Sequence, residues 1–163
     1  MNRRKSVTFS GKGLAELDKW LEDYKKWLVR KTDELASRLA ALGATSVSLG
    51  FAQALYDGVN DVDITVEHRG NGNYAVIASG TTVLIIEFGA GYMMGYGHPE
   101  AATHGMGPGT YPGQTHAFSP YGWWYSENGV SRHSYGNPPN MPMYNAVKNL
   151  ESDLKRIVTE VFA

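Results

Sequence analysis

The sequence predicts an α+β fold, with a long N-terminal helix and a C-terminal helix packed on one face of a mainly antiparallel sheet. Three observations carry that expectation. Leucines recur at helical spacing near the start, period-two alternation fills the middle, and helical spacing returns after Pro142. The order helix, strands, helix segregates the helices from the sheet, as in an α+β domain. At 163 residues the chain reads as a single domain, residues 1–163, large enough for a real core.

The first helix is predicted over residues 14–42. Leu14, Leu17, Leu21, Tyr24, Leu28, Leu35, Leu39 and Leu42 share one face at spacings of three, four and seven. Ser10 or Gly13 caps its start, Glu16 and Asp18 suit the positive end of the dipole, and Gly43 stops it. Trp20 and Trp27 sit beside the stripe. Buried, they widen the core face; exposed, they are a contact surface, and burial is the expectation.

Strands follow. Val47, Leu49, Phe51 and Leu55 alternate with Ser48, Gly50, Ala52 and Ala54, which predicts a half-buried strand. Asp57-Gly58-Val59-Asn60-Asp61 is turn chemistry. Val62, Ile64 and Val66 alternate with Asp63, Thr65 and Glu67, and after the loop Arg69-Gly70-Asn71-Gly72-Asn73 residues 74–79 return as the partner. Residues 81–88 are apolar on both faces and predict a central strand. The connections are too short for crossover helices, so the pairing is antiparallel. In the last helix Asn140 is the predicted N-cap and Pro142 stands at or near the first position. Met143, Val147, Leu150, Leu154, Ile157 and Val161 form its apolar face, with Lys148, Lys155 and Arg156 opposite.

Residues 81–144 organise the chain. All seven prolines lie between Pro99 and Pro142, and only Glu87, Glu100, Glu127 and Arg132 carry formal charge there. Disordered linkers are charged and poor in aromatics, whereas this stretch holds Tyr92, Tyr96, Tyr111, Phe118, Tyr121, Trp123, Trp124, Tyr125 and Tyr135. It predicts a structured excursion, with a loop at about residues 92–119, that needs a surface to lie on. If one small domain cannot supply that surface, a neighbouring subunit must.

No catalytic, cofactor-binding or metal site is predicted, and the chain does not read as an enzyme. It has no cysteine, which excludes disulfides and thiolate chemistry. His68, His98, His104, His116 and His133 lack the spacing of a helical zinc site. Gly105-Met106-Gly107-Pro108-Gly109 lacks the Lys-Ser/Thr of a phosphate loop, and no Gly-x-Ser-x-Gly elbow occurs. Asp57, Asp61, Asp63 and Glu67 read as a turn and a solvent face. Glu87, between Ile86 and Phe88, is the one oddly placed charge: either a sheet-end residue held by an Arg or backbone N–H, or half of an intersubunit salt bridge.

Fifteen basic and sixteen acidic residues leave the chain near neutral. The nine Lys or Arg against four Asp or Glu in residues 1–31 read as a solvated helix face. Only weak, non-specific contact with DNA is expected. No signal-peptide pattern follows Met1, and the longest aliphatic run, residues 83–86, falls far short of the ~20 residues that span a bilayer. A soluble protein without membrane partners is the expectation.

Three motifs occur in order: Glu87-Phe88-Gly89-Ala90-Gly91, Gly122-Trp123-Trp124-Tyr125-Ser126-Glu127-Asn128-Gly129, and Asn140-Met141-Pro142-Met143-Tyr144-Asn145-Ala146. This order resembles the tail-completion or head–tail connector family of long-tailed bacteriophages, the gene-product-ten-like family of lambdoid phages. Members characteristically show a Glu-Phe-Gly-Thr-Gly strand end, a Trp/Tyr strand and a Pro-Phe/Met-aromatic start to the last helix. The likeness covers residues 61–163; Ala90 stands where Thr is usual, and the Gly/Pro/His insert is long. The resemblance implies a non-enzymatic virion protein of the neck or tail, made in the host bacterial cytoplasm. It would form a homo-oligomeric ring through which DNA passes, beside adaptor, stopper or tail-terminator proteins. No cofactor is implied. The residues expected at the subunit interface are Glu87, Phe88, Gly89, Tyr92, Tyr96, Tyr111, Phe118, Tyr121, Trp123 and Trp124. The alternative from another class is a carbohydrate-binding or cell-wall-targeting module that stacks sugars on residues 121–125.

Overall fold

The structure is a computed structural model and describes residues 4–163; the first three residues of the basic N-terminal segment lie outside it. Its elements are α1 (Gly11–Ala52), β1 (Asp63–His68), β2 (Tyr74–Ser79), α2 (Val83–Phe88), β3 (Trp123–Glu127), β4 (Val130–Ser134) and α3 (Pro142–Phe162). The fold class is α+β. The strands form two separate antiparallel hairpins, β1–β2 and β3–β4, where one sheet was expected.

Ser10 starts α1 by accepting the Gly13 N–H at 3.2 Å. The helix is 42 residues long, about 63 Å at 1.5 Å per residue. It does not stop at Gly43, and the strand expected over residues 47–55 is helix as far as Ala52. Val47 and Phe51 are four apart, so they fit a strand face and a helix face equally; both are 3% exposed. Leu49 decides between the periods, since alternation would bury it and it is 55% exposed. Gly43 and Gly50 mark close approaches instead of breaks: a Cβ on Gly43 would meet Leu150 and Val76, and one on Gly50 would meet Pro142.

Those contacts set α3 antiparallel to α1. Pro142 lies against Gly50, Leu150 against Gly43, Glu160 within 3.8 Å of Arg38, and Phe162 edge-on to Trp27. The β1–β2 hairpin, in register from Asp63↔Ser79 to His68↔Tyr74, reaches α1 through Val76. Val47, Phe51, Ile86 and Ala146 form the core where these elements meet, with Val62, Ile64 and Met143 against them. One 18-residue window of α1 reaches a mean hydropathy of 1.3, enough by length and composition to cross a membrane. The expectation from unbroken aliphatic runs missed it, because small and hydroxyl residues interrupt the run. The window fits the C-terminal part of the helix, residues 35–52, which carries Val47 and Phe51 into the core.

The second correction is residues 81–88, expected as a strand and found as α2. A Val-Leu-Ile-Ile run favours a strand locally, but a short helix that is buried on most sides is also apolar all round. Asp61 starts it from outside: its carboxylate accepts the Thr81 and Thr82 N–H groups at 2.7 and 3.0 Å and both hydroxyls. The β3–β4 hairpin turns on Asn128 (φ 51°) and Gly129 (φ 79°), the left-handed pair of a type I′ turn. Pro142 opens α3 as expected, but Asn140 is not its cap. Met141, left-handed at φ 56°, holds that place, and Asn140 pins the end of α1 by accepting the Leu55 N–H at 2.7 Å.

Candidate functional site

The excursion leaves the domain at the end of α2 and returns at the start of α3, and its base is built from the free backbone groups of those two helix ends. The last carbonyls of α2 face the returning chain. Ile85 accepts from the Asn137 side chain at 2.9 Å, Ile86 from the Asn140 N–H at 2.9 Å and Glu87 from the Met141 N–H at 3.3 Å. The first N–H groups of α3 face α2 in turn: Met143 and Tyr144 donate to the Glu87 carboxylate at 2.8 and 3.0 Å. Ala90 and Asn137 add an isolated antiparallel bridge. Gly89 (φ 79°) has no room for a side chain here, since a Cβ would stand 2.7 Å from the Pro139 nitrogen.

His98 completes this knot. Its Nδ1 accepts the Glu100 N–H at 3.1 Å, which leaves Nε2 as the donor to Glu87 at 3.2 Å. The ring packs on Phe88 and meets Tyr144 edge-on. Glu87 was expected at a sheet end, as an intersubunit salt bridge or held by backbone N–H groups. It ends a helix, and its partners are backbone N–H groups and His98 of the same chain.

The ten residues expected at an interface divide into two sets. Glu87, Phe88, Gly89 and Tyr111 are buried within the chain, which corrects their placement on a contact surface. Tyr111 donates its hydroxyl to the Gly89 carbonyl, and burial pushes its phenol up from the ordinary range. The excursion therefore finds part of its surface on its own domain. Tyr92, Tyr96, Phe118, Tyr121 and Trp124 are exposed, Tyr121 most of all at 83%. Met93 and Met94 are exposed beside Tyr92. Tyr92 meets Tyr96 edge-on, and Trp124, His133 and Tyr135 form a second edge-to-face series.

Trp123 is half-buried and lines a cavity of about 650 Å³ with Tyr125, Tyr56, His133, Ile85 and Gln114. Gln114 accepts the Gly109 N–H at 2.6 Å, while its buried Nε2 has no partner. The sequence reading missed Tyr56, Gln114 and His133 as neighbours of Trp123, because segments remote along the chain bring them together. Among the described residues, no group of three or more His, Asp and Glu side chains is placed to hold a metal ion.

No protein-family model matches the chain, and neither a curated protein nor a solved structure matches it.

Proposed function

We propose that the chain is a structural virion protein of a long-tailed bacteriophage, acting in a homo-oligomeric ring at the neck or tail through which DNA passes. The observation that carries this reading is the exposed rim of Tyr92, Tyr96, Phe118, Tyr121 and Trp124 on a charge-poor excursion whose base is tied at both ends. Exposed apolar patches mark contact sites, and a head-to-tail contact repeated with closing rotation makes a ring. The order of the three motifs supports the phage assignment, although Glu87-Phe88-Gly89 ends a helix here and not a strand. In the neck, adaptor, stopper or terminator proteins would flank the ring, and DNA contact would be non-specific. Negative-stain electron microscopy with mass photometry of the full chain tests it. Closed particles with a central hole and more than two copies are expected; a particle no larger than a dimer at every concentration overturns the ring.

One observation favours a second reading, a carbohydrate-binding module. The cavity at Trp123, Tyr125 and Tyr56 offers aromatic faces beside an unpartnered amide N–H, a combination that suits a sugar ring. Glycan-array binding that Trp123→Ala abolishes would favour it over the virion role.

A further inference from the structure

Leucines in the first part of α1 keep a spacing of seven, at Leu14, Leu21 and Leu28, and these side chains are 47%, 41% and 41% exposed. Leu17 and Tyr24 fall between them, three residues after each leucine, and are half-buried. Apolar residues alternating at three and four are the seam of a two-helix coiled coil. Beyond Leu28 the seam is broken by charge: the positions that continue Leu17 and Tyr24 are Lys31 and Arg38, while Leu35 and Leu42 continue the leucine row. Inside the chain α3 ends beside Trp27, and Tyr74 of the β1–β2 hairpin reaches α1 at Asp33. The hairpin tip, at His68, Asn71 and Gly72, borders a groove with Lys25 and Leu28 at the C-terminal end of the seam, and Leu14, Leu21 and Leu28 remain exposed.

From this we infer that residues 17–28 of α1 dock antiparallel on the same segment of a second copy of this chain, about a two-fold axis near Glu22 and Asp23. Two arguments choose that occupant. The first is charge. In the antiparallel register Leu17 faces the partner's Leu28 and Leu21 faces the partner's Tyr24. Asp18 then lies beside the partner's Lys25, and Lys25 beside the partner's Asp18. Trp20 meets the partner's Trp27 on the other flank. A parallel pair stacks each seam residue on its own copy and sets Trp20, not Asp18, against the partner's Lys25.

The second argument is area. The chain exposes 10692 Å², about a third more than the roughly 8,000 Å² of a compact monomer of its mass. That excess is larger than the ~1,600 Å² a stable two-copy interface buries in total. The pairing does not rest on the phage reading, because a two-fold contact joins free chains or stacks two rings.

The cysteine-free chain makes the test clean. Leu17→Cys and Leu28→Cys are prepared in the full chain and oxidised separately and as an equal mixture. Cross-linked dimers in the mixture alone are expected, since Leu17 and the partner's Leu17 would stand about 16 Å apart. Cross-linking of either variant with itself shows a parallel pair and overturns the inference, as does no cross-linking at all. Sedimentation gives an independent readout. Leu21→Glu should weaken two-fold association about tenfold or more with unchanged circular dichroism. Val29→Glu, an exposed apolar site off the seam, should not. Equal association of the two variants overturns it as well.

Discussion

The carboxylate of Glu87 accepts the backbone N–H of Met143 at 2.8 Å, across 56 residues of sequence. It also holds the next N–H, from Tyr144, so one side chain at the end of α2 satisfies the positive start of α3. Met141 occupies the N-cap position but supplies no side-chain cap. Glu87 stands in for that missing group. The excursion thus begins and ends at one carboxylate.

Glu87→Gln keeps the shape and removes the charge, and turns an NH2 group toward an N–H donor. Hydrogen bonds to charged groups are worth about 1.5–3 kcal/mol, and Glu87 is buried, so a loss of that order is expected in urea unfolding of the monomer. Glu67→Gln, whose partner Arg69 is exposed like itself, should change stability by less than about 1 kcal/mol. Equal effects would remove Glu87 from its capping role.

The two internal glycines of α1 should respond oppositely to alanine. A Cβ on Gly50 would stand 2.7 Å from Pro142 Cβ and 3.1 Å from its Cα, a rigid ring and backbone. Overpacking of about 1–3 kcal/mol then outweighs the ~1 kcal/mol that alanine gains in a helix, and the melting temperature falls. At Gly43 the nearest atom is a Leu150 methyl at 3.2 Å, which can rotate away. Gly43→Ala should be neutral or mildly stabilising by the same measurement.

Asp61 supplies a pH signature. The Thr81 and Thr82 hydroxyls, then their N–H groups, hold its carboxyl well below its ordinary value of 3.8. A group depressed in the folded state adds stability above its unfolded value, and that stability is lost as pH falls through the range between the two. Asp61→Asn should therefore cost most at neutral pH, with the gap to the parent closing below about pH 4. A gap unchanged from pH 7 to pH 3 in denaturant titrations contradicts this.

The rim residues should separate assembly from folding. Tyr121→Ser and Trp124→Ser alter side chains with little cover in the chain, so unfolding free energies should shift by no more than about 0.5 kcal/mol. Particle size in mass photometry should fall for both. Unchanged particles would place the assembly surface elsewhere.

Local chemistry was enough for several parts of this protein. Alternation over Val62, Ile64 and Val66 marked β1, and Ser10 and Pro142 marked two helix starts, because a cap or a fixed φ acts within one turn. The whole-chain order of elements was enough for the α+β class. Tertiary structure decided what period alone leaves open. Val47 and Phe51 satisfy two periods at once, and only the packing of Pro142 on Gly50 and Leu150 on Gly43 makes the helix continuous. Residues 83–88 are apolar enough for a central strand, and Asp61 and Glu87, whose partners lie far along the chain, make them a helix. The same holds for the leucine stripe of α1. Its spacing is written in the sequence, but whether it is core or surface depends on where α3 ends, and burial belongs to the whole fold.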